Sequence, residues 1–207
     1  MSMHSRHSKD EERPGAGHDG SHDEGHGGHT KAMYLRFAAM IGTGMVVMYV
    51  VMFVGSWEWG HVRFSQSRVF MAVTMGGAMG LVMLGWMLTM YKSAKANAAV
   101  VGVSLLLLGG GVALDRSQAT VDDTAFMSAM IPHHSLAITR SERAQIEDVR
   151  VCELAVAIIE AQQREIAEMD WLIADIRANG PATTAAEADA RAVPDFPGTS
   201  LRTCPGD

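Results

Sequence analysis

Residues 69–91 read VFMAVTMGGAMGLVMLGWMLTMY, twenty-three positions without a charged side chain. Coiled as a helix at 1.5 Å per residue, the run reaches about 34 Å, enough to cross a hydrocarbon core of about 30 Å. Two similar runs flank it, eighteen residues at 37–54 and nineteen at 96–114. Buried helices of a water-soluble protein would carry polar faces, whereas these runs offer only Thr43, Thr74, Thr89, Asn97 and Ser104. Three transmembrane helices are the direct reading, and the lipid bilayer is the first partner it implies.

The first run follows about thirty polar residues and is too long for the apolar region of a cleavable secretion signal, so it is expected to remain as an anchor. Tyr34, Trp57, Trp59 and Tyr91 stand near the ends of runs, where amphipathic rings form belts at the lipid–water boundary. Lys31, Arg36, Lys92 and Lys95 fall on one side and Arg63, Arg68 and Arg116 on the other. The positive bias places the N-terminus inside and the C-terminal segment outside, which predicts a multi-pass protein of the cytoplasmic (inner) membrane with its C-terminal domain on the periplasmic or extracellular face. The net charge of -6 excludes nucleic-acid binding, which requires a basic stripe.

Four segments follow from composition. Residues 1–32 are rich in His, Gly, Asp and Ser, with His18, His22, His26 and His29 among acidic residues. Such a segment cannot bury enough surface to offset ordering and reads as a disordered tail with loose metal affinity at most. Residues 33–114 are the transmembrane region. Residues 115–180 form a helical hairpin, capped at Asp122 or Asp123, broken near 145–148, recapped at Asp148 and stopped at Asn179-Gly180-Pro181. Residues 181–207, rich in Ala, Thr, Pro and Gly, read as a second disordered tail. Cys152 and Cys204 suggest neither a disulfide framework nor a CxxC metal pair.

The chemistry concentrates in 126–134, FMSAMIPHH. Asp123, Met127, Met130 and His134 are spaced by four, three and four, which puts them within about 60° on one helix face. His133 points about 100° away from His134 unless Pro132 bends the helix. On the second helix Gln162, Glu165 and Met169 share a side, which makes Met169 the candidate ligand from across the hairpin. Thioether beside imidazole selects Cu(I) ahead of Cu(II), whereas zinc recruits thiolates or three histidines. The competing reading is that methionines at helical spacing are flexible core filler.

The stretch from Asp123 to His134, with Ala137-Ile138, Glu142-Arg143-Ala144, Leu154-Ala155, Ile158-Ile159, Gln162-Gln163, Glu165-Ile166, Met169 and Trp171-Leu172, resembles the DUF305 family, also called the CopM-like copper metallochaperone family. The resemblance implies an exported, ferritin-like helical hairpin or bundle that binds copper through Met127, Met130, His133, His134 and, by extension, Met169. Many members resemble two tandem hairpins, and this chain has one.

The fold class expected is therefore all-α, three transmembrane helices followed by a ferritin-like hairpin. A lone hairpin has no second layer over its apolar stripes. It is expected to pair with a second copy into a four-helix bundle or to lean on the membrane segments, a homodimer being the first choice. The function expected is membrane-anchored copper binding of the metallochaperone or buffering type, with a copper-receiving protein as a further partner. The alternative is a non-catalytic structural or assembly module in which the hairpin dimerises or docks a partner. No Glu-x-x-His motif occurs in the hairpin, nor any partnered nucleophile, Walker A loop or dinucleotide fingerprint, so catalysis is not expected. Met71, Met75, Met79, Met83 and Met87 recur every fourth residue. Because such a row drifts about 40° per step, packing or lipid contact is the first reading and a copper path the alternative.

Overall fold

The computed structural model describes residues 24–205, with side chains from residue 28. His18 and His22 lie outside the described residues, and the side chain of His26 outside the described side chains. Among the described residues the chain is all-helical, without strands: α1 (Glu24–Val51), α2 (Gln66–Trp86), α3 (Ala94–Ser117), α4 (Asp123–Arg143), α5 (Val149–Asn179) and α6 (Ala185–Ala190), with a single 3-10 turn at Trp59–His61. Segments Gly28–Val51, Gln66–Trp86 and Ala94–Ser117 are long and apolar enough to cross a membrane. Large apolar side chains such as Val46, Trp86 and Leu106 stand exposed along them, a surface of the kind that marks contact with lipid or with another protein. Helix α1 begins at Glu24, within the segment expected to be disordered, because the apolar run propagates its helix backwards.

The first three helices pack through small residues and thioethers. A side chain at Gly76 would collide with Met45, and one at Gly44 with Met79, so each helix sets a methionine into the other's glycine notch. Gly77 and Gly80 admit α3 at Ser104 and Leu108 in the same way. Met45, Met79, Met83 and Met87 pack around Phe37, Ile41, Leu84 and Tyr91, whereas Met71 and Met75 are exposed. The methionine row is thus divided between core and surface. Tyr34 donates to Asn97 Oδ1 at 2.7 Å and packs at a tilt against Tyr91, which is buried, the ring centroids 4.9 Å apart. Of the aromatics expected in a belt, Tyr91 and Trp57 instead face inwards, Trp57 against the hairpin core.

Local signals account for the ends of the hairpin. Asp122 caps α4 by accepting from Ala125 N at 2.7 Å, and Asp148 caps α5 by accepting from Arg150 N at 2.9 Å. Gln118, in the left-handed region at φ 52°, ends α3, and Gly180 at φ 79° ends α5, the latter as its missing Cβ allows. Helix α4 continues through Pro132, although proline cannot donate to the carbonyl one turn earlier. The seam between α4 and α5 is filled by Met127, Ile131, Ile138, Ile159, Ile166, Met169 and Ile173.

Two expectations about the hairpin's surroundings change. Cys152 and Cys204 are joined by a disulfide, with Cα atoms 5.7 Å apart. The segment after Gly180, expected to be disordered, forms α6 and then runs back along the hairpin. Arg202 ties it there by donating to the carbonyls of Ser141, Glu142 and Ala144 at 2.7–2.9 Å, three acceptors left open where α4 ends. Trp57 covers the core from one side, and this returning strap crosses the hairpin elsewhere.

Candidate functional site

Of the five candidate ligands, three meet in the α4–α5 seam. Met127 and Met169 are buried in one cluster, and Met130 is half-buried against it. Met127 and Met169 also line one wall of a cleft of about 470 Å³ together with Asp123, Phe126 and Leu172; Pro181, Ala182, Ala188, Arg191 and Val193 form the other wall. Helix α4 contributes Met127 and Met130 one turn apart, and α5 contributes Met169 because the hairpin brings its second half back past α4.

His134 is half-buried and faces α5, with Nδ1 3.4 Å from Glu165 Oε2. The pair is within ionic reach but not aligned as a hydrogen bond, so Nδ1 is shut off from water without a hydrogen-bond partner. Gln162 Nε2 donates to the same Glu165 oxygen at 3.2 Å. Burial pushes the His134 pKa below its ordinary value; the Glu165 carboxylate opposes that shift and His133 adds to it. A neutral imidazole keeps a lone pair for a metal or a proton. His133 is exposed, its ring centroid 5.8 Å from that of His134 and tilted by 61°. On α4, Met127 is buried, Met130 and His134 are half-buried, and His133 is exposed, as its 100° offset from His134 requires. Among the described residues no group of three or more His, Cys, Asp or Glu could hold a metal ion; a site here would depend on thioether sulfur.

Sequence reasoning missed the residues that seat this hairpin. Ser135 is fully buried; its hydroxyl accepts from Trp57 N at 2.7 Å and pairs with His61 Nδ1 at 2.9 Å. A hydroxyl flanked at helical spacing by Ile131 and Ile138 was the signal available. Arg68 is buried against Phe53, 4.0 Å from its ring centroid, and donates to Met52 O at 2.6 Å and Pro132 O at 3.3 Å. Arg63 pairs with Asp170 at 2.8 Å. The α1–α2 loop thus grips both helices of the hairpin.

The hairpin, with the end of α3, α6 and part of the strap, matches the family described as "Domain of unknown function (DUF305)" over residues 112–197. An "Uncharacterized protein L153" of Acanthamoeba polyphaga mimivirus is 36% identical over 102 residues, 46% of this chain and 67% of that protein. The chain belongs to the DUF305 family. The DUF305 match includes every candidate ligand and the cleft wall from Pro181 to Val193, and it stops short of Cys204. No solved structure matches the chain.

Proposed function

We propose that this DUF305 protein is a membrane-anchored copper-binding protein that captures Cu(I), ahead of Cu(II), and buffers it or passes it to a receiving protein. Met127, Met130 and His134 would be the principal donors, with Met169 from α5 and His133 from the exposed side completing the set. The observation that supports the reading is that Met127 and Met169 share the buried α4–α5 cluster, with Met130 packed against it, and that His134 on the same helix faces Glu165 of α5. Thioether and neutral imidazole are the donors that soft Cu(I) prefers over hard cations. The chain would act by binding alone, without catalysis.

The three apolar helices would cross the cytoplasmic membrane with the N-terminus inside and the hairpin outside. Two observations support that arrangement. The α1–α2 loop and the hairpin lie together at one end of the three helices, and the hairpin carries a disulfide, a bond that persists in oxidising compartments. Pairing of two hairpins into a four-helix bundle is retained as part of the proposal.

The purified full chain should take Cu(I) from a chromogenic chelator, and the double variant Met130→Ala, His134→Ala should not. Unchanged uptake by the double variant removes the assignment. Burial of Met127 and Met169 among isoleucines favours the second reading, in which the hairpin is a structural or docking module and its thioethers only fill space.

A further inference from the structure

The strap formed by residues 181–205 supplies one wall of the cleft that holds Met127 and Met169 through residues between 181 and 193, and then continues along the hairpin. Its first half builds the cleft wall with Ala188, Arg191 and Val193, and Arg191 Nη1 is anchored on Asp175 Oδ2 at 2.6 Å. Its second half lies on the hairpin. Gly198 presses so closely on the Glu160 backbone that a Cβ would collide with it. Thr199 N donates to Gln163 Oε1 at 2.8 Å, and Leu201 N to Glu142 Oε1 at 2.9 Å. The last tie is the covalent one, Cys204 to Cys152.

We propose that this strap is a redox-released cover over the Met127–Met169 cleft, with the Cys152–Cys204 disulfide as its lock; the proposal rests on the copper reading above. A segment held at both ends, by α5 at Gly180 and by the disulfide at Cys204, opens only by bulging. Freed at one end, it is retained by hydrogen bonds that are part-buried at Arg191 and Arg202 and exposed at Thr199 and Leu201, and by the Arg191–Asp175 ion pair, contacts that can open locally without unfolding the hairpin.

The two sulfurs are unequal. Cys152 is fully buried, whereas Cys204 is half-buried, so an incoming thiolate meets Cys204 first. A dithiol reductant attacks the Cys204 sulfur, the S–S bond breaks and Cys152 leaves as thiolate. The reductant's second thiolate then resolves the mixed disulfide, releasing Cys204. Both cysteines take up protons, and the reductant departs as its own disulfide with two electrons fewer. Cys152 lies one turn into α5, where the amide end of a helix favours a thiolate as leaving group.

The test uses the full chain in detergent and Cu(I) supplied as its bathocuproine complex, kept reduced by ascorbate. Three forms are compared: the disulfide form, the form reduced by a dithiol and alkylated, and the double variant Cys152→Ser, Cys204→Ser, which leaves no free thiol to bind Cu(I). Uptake by the two open forms is expected to be at least about fivefold faster, as loss of one tether lowers the effective concentration of the cover, and trypsin should cut at Arg191 and Arg202 sooner. Equal uptake rates in all three forms overturn the cover while leaving the copper reading intact. No uptake in any form overturns the copper reading itself. Trypsin cleavage unchanged on reduction overturns the release of the strap, whatever copper does. Arg202→Ala, which loosens the strap with the disulfide intact, should fall between the closed and open forms.

Discussion

Trp57 donates its backbone amide to the side-chain hydroxyl of Ser135 at 2.7 Å, and this contact seats the α1–α2 loop on the helix that carries Met127, Met130 and His134. The same hydroxyl meets His61 Nδ1 at 2.9 Å, and Trp57 packs on the hairpin core with Arg143 over its ring at 5.6 Å. The hairpin is therefore held against the α1–α2 loop by part-buried polar contacts as well as by the short link after α3.

Ser135→Ala removes an acceptor and strands the Trp57 amide. A buried donor left without a partner costs about 1–3 kcal/mol, so thermal unfolding of the purified chain should start at a lower temperature. A variant that melts with wild type would show that the loop is not seated through this hydroxyl.

Arg68→Met keeps the length of the side chain and removes both of its bonds, to Met52 O and Pro132 O. Hydrogen bonds from a charged donor contribute about 1.5–3 kcal/mol each. Hydrogen exchange in residues 52–65 and around Pro132 should rise together, since one guanidinium serves both. A rise confined to the loop would contradict the bridge.

His134 gives the hairpin a definite pH dependence. Its folded pKa is depressed chiefly by burial, so the unfolded chain binds the proton more readily than the folded one. The stability contributed is complete above the ordinary value of 6.5 and declines as pH falls below it. Melting temperature should drop on acidification through that range, and His134→Gln should flatten the dependence. By the same competition for the imidazole lone pair, Cu(I) uptake should weaken in acid. An acid slope identical in His134→Gln would assign the titration to another group.

Replacing Met127, Met130 and Met169 together by Leu distinguishes the copper reading from the packing reading. Leu and Met are close in volume, and each swap costs less than about 1.5 kcal/mol. The triple variant should remain folded, with its α4–α5 seam intact, yet lose Cu(I) retention. Retention at the wild-type level would leave the methionines as core filler.

Ile159→Ala probes the seam itself. Ile159 is fully buried in the cluster with Met127 and Met169, and such truncations cost about 2–5 kcal/mol. The melting transition of the hairpin should fall, read as loss of far-ultraviolet helix signal. An unchanged transition would mean that the three apolar helices alone set the stability.

Much of the hairpin was legible in advance because its determinants are local. Asp122, Asp148 and Gly180 act within one turn of their own positions, and Met127, Ile131 and Ile138 recur at the helical spacing that marks the inner face of α4; in the first half of α5 a stripe through Val151 and Leu154 fits the spacing equally well, yet both are exposed and Cys152, Ala155 and Ile159 are buried instead. His133 was expected to diverge from His134 and does so. Arg68 was read only as a flanking charge, because a one-dimensional charge count treats every basic residue near a run alike. Its burial follows from the loop's path to Pro132. The disulfide was equally hidden, since Cys152 and Cys204 stand 52 residues apart and nothing local to either announces the return of the strap.

By itself the sequence determined the three long apolar helices, the capped hairpin after them and the shared face of Met127, Met130 and His134, since length, helical period and capping chemistry operate over a few residues. Only the tertiary structure decided that Met169 joins Met127 in one cleft, that Arg68 and Ser135 bind the hairpin to the α1–α2 loop, and that the C-terminal segment folds back to Cys152. Those outcomes depend on which distant surfaces the chain can bring together and on whether the contacts formed there offset the entropy of closing the intervening loops.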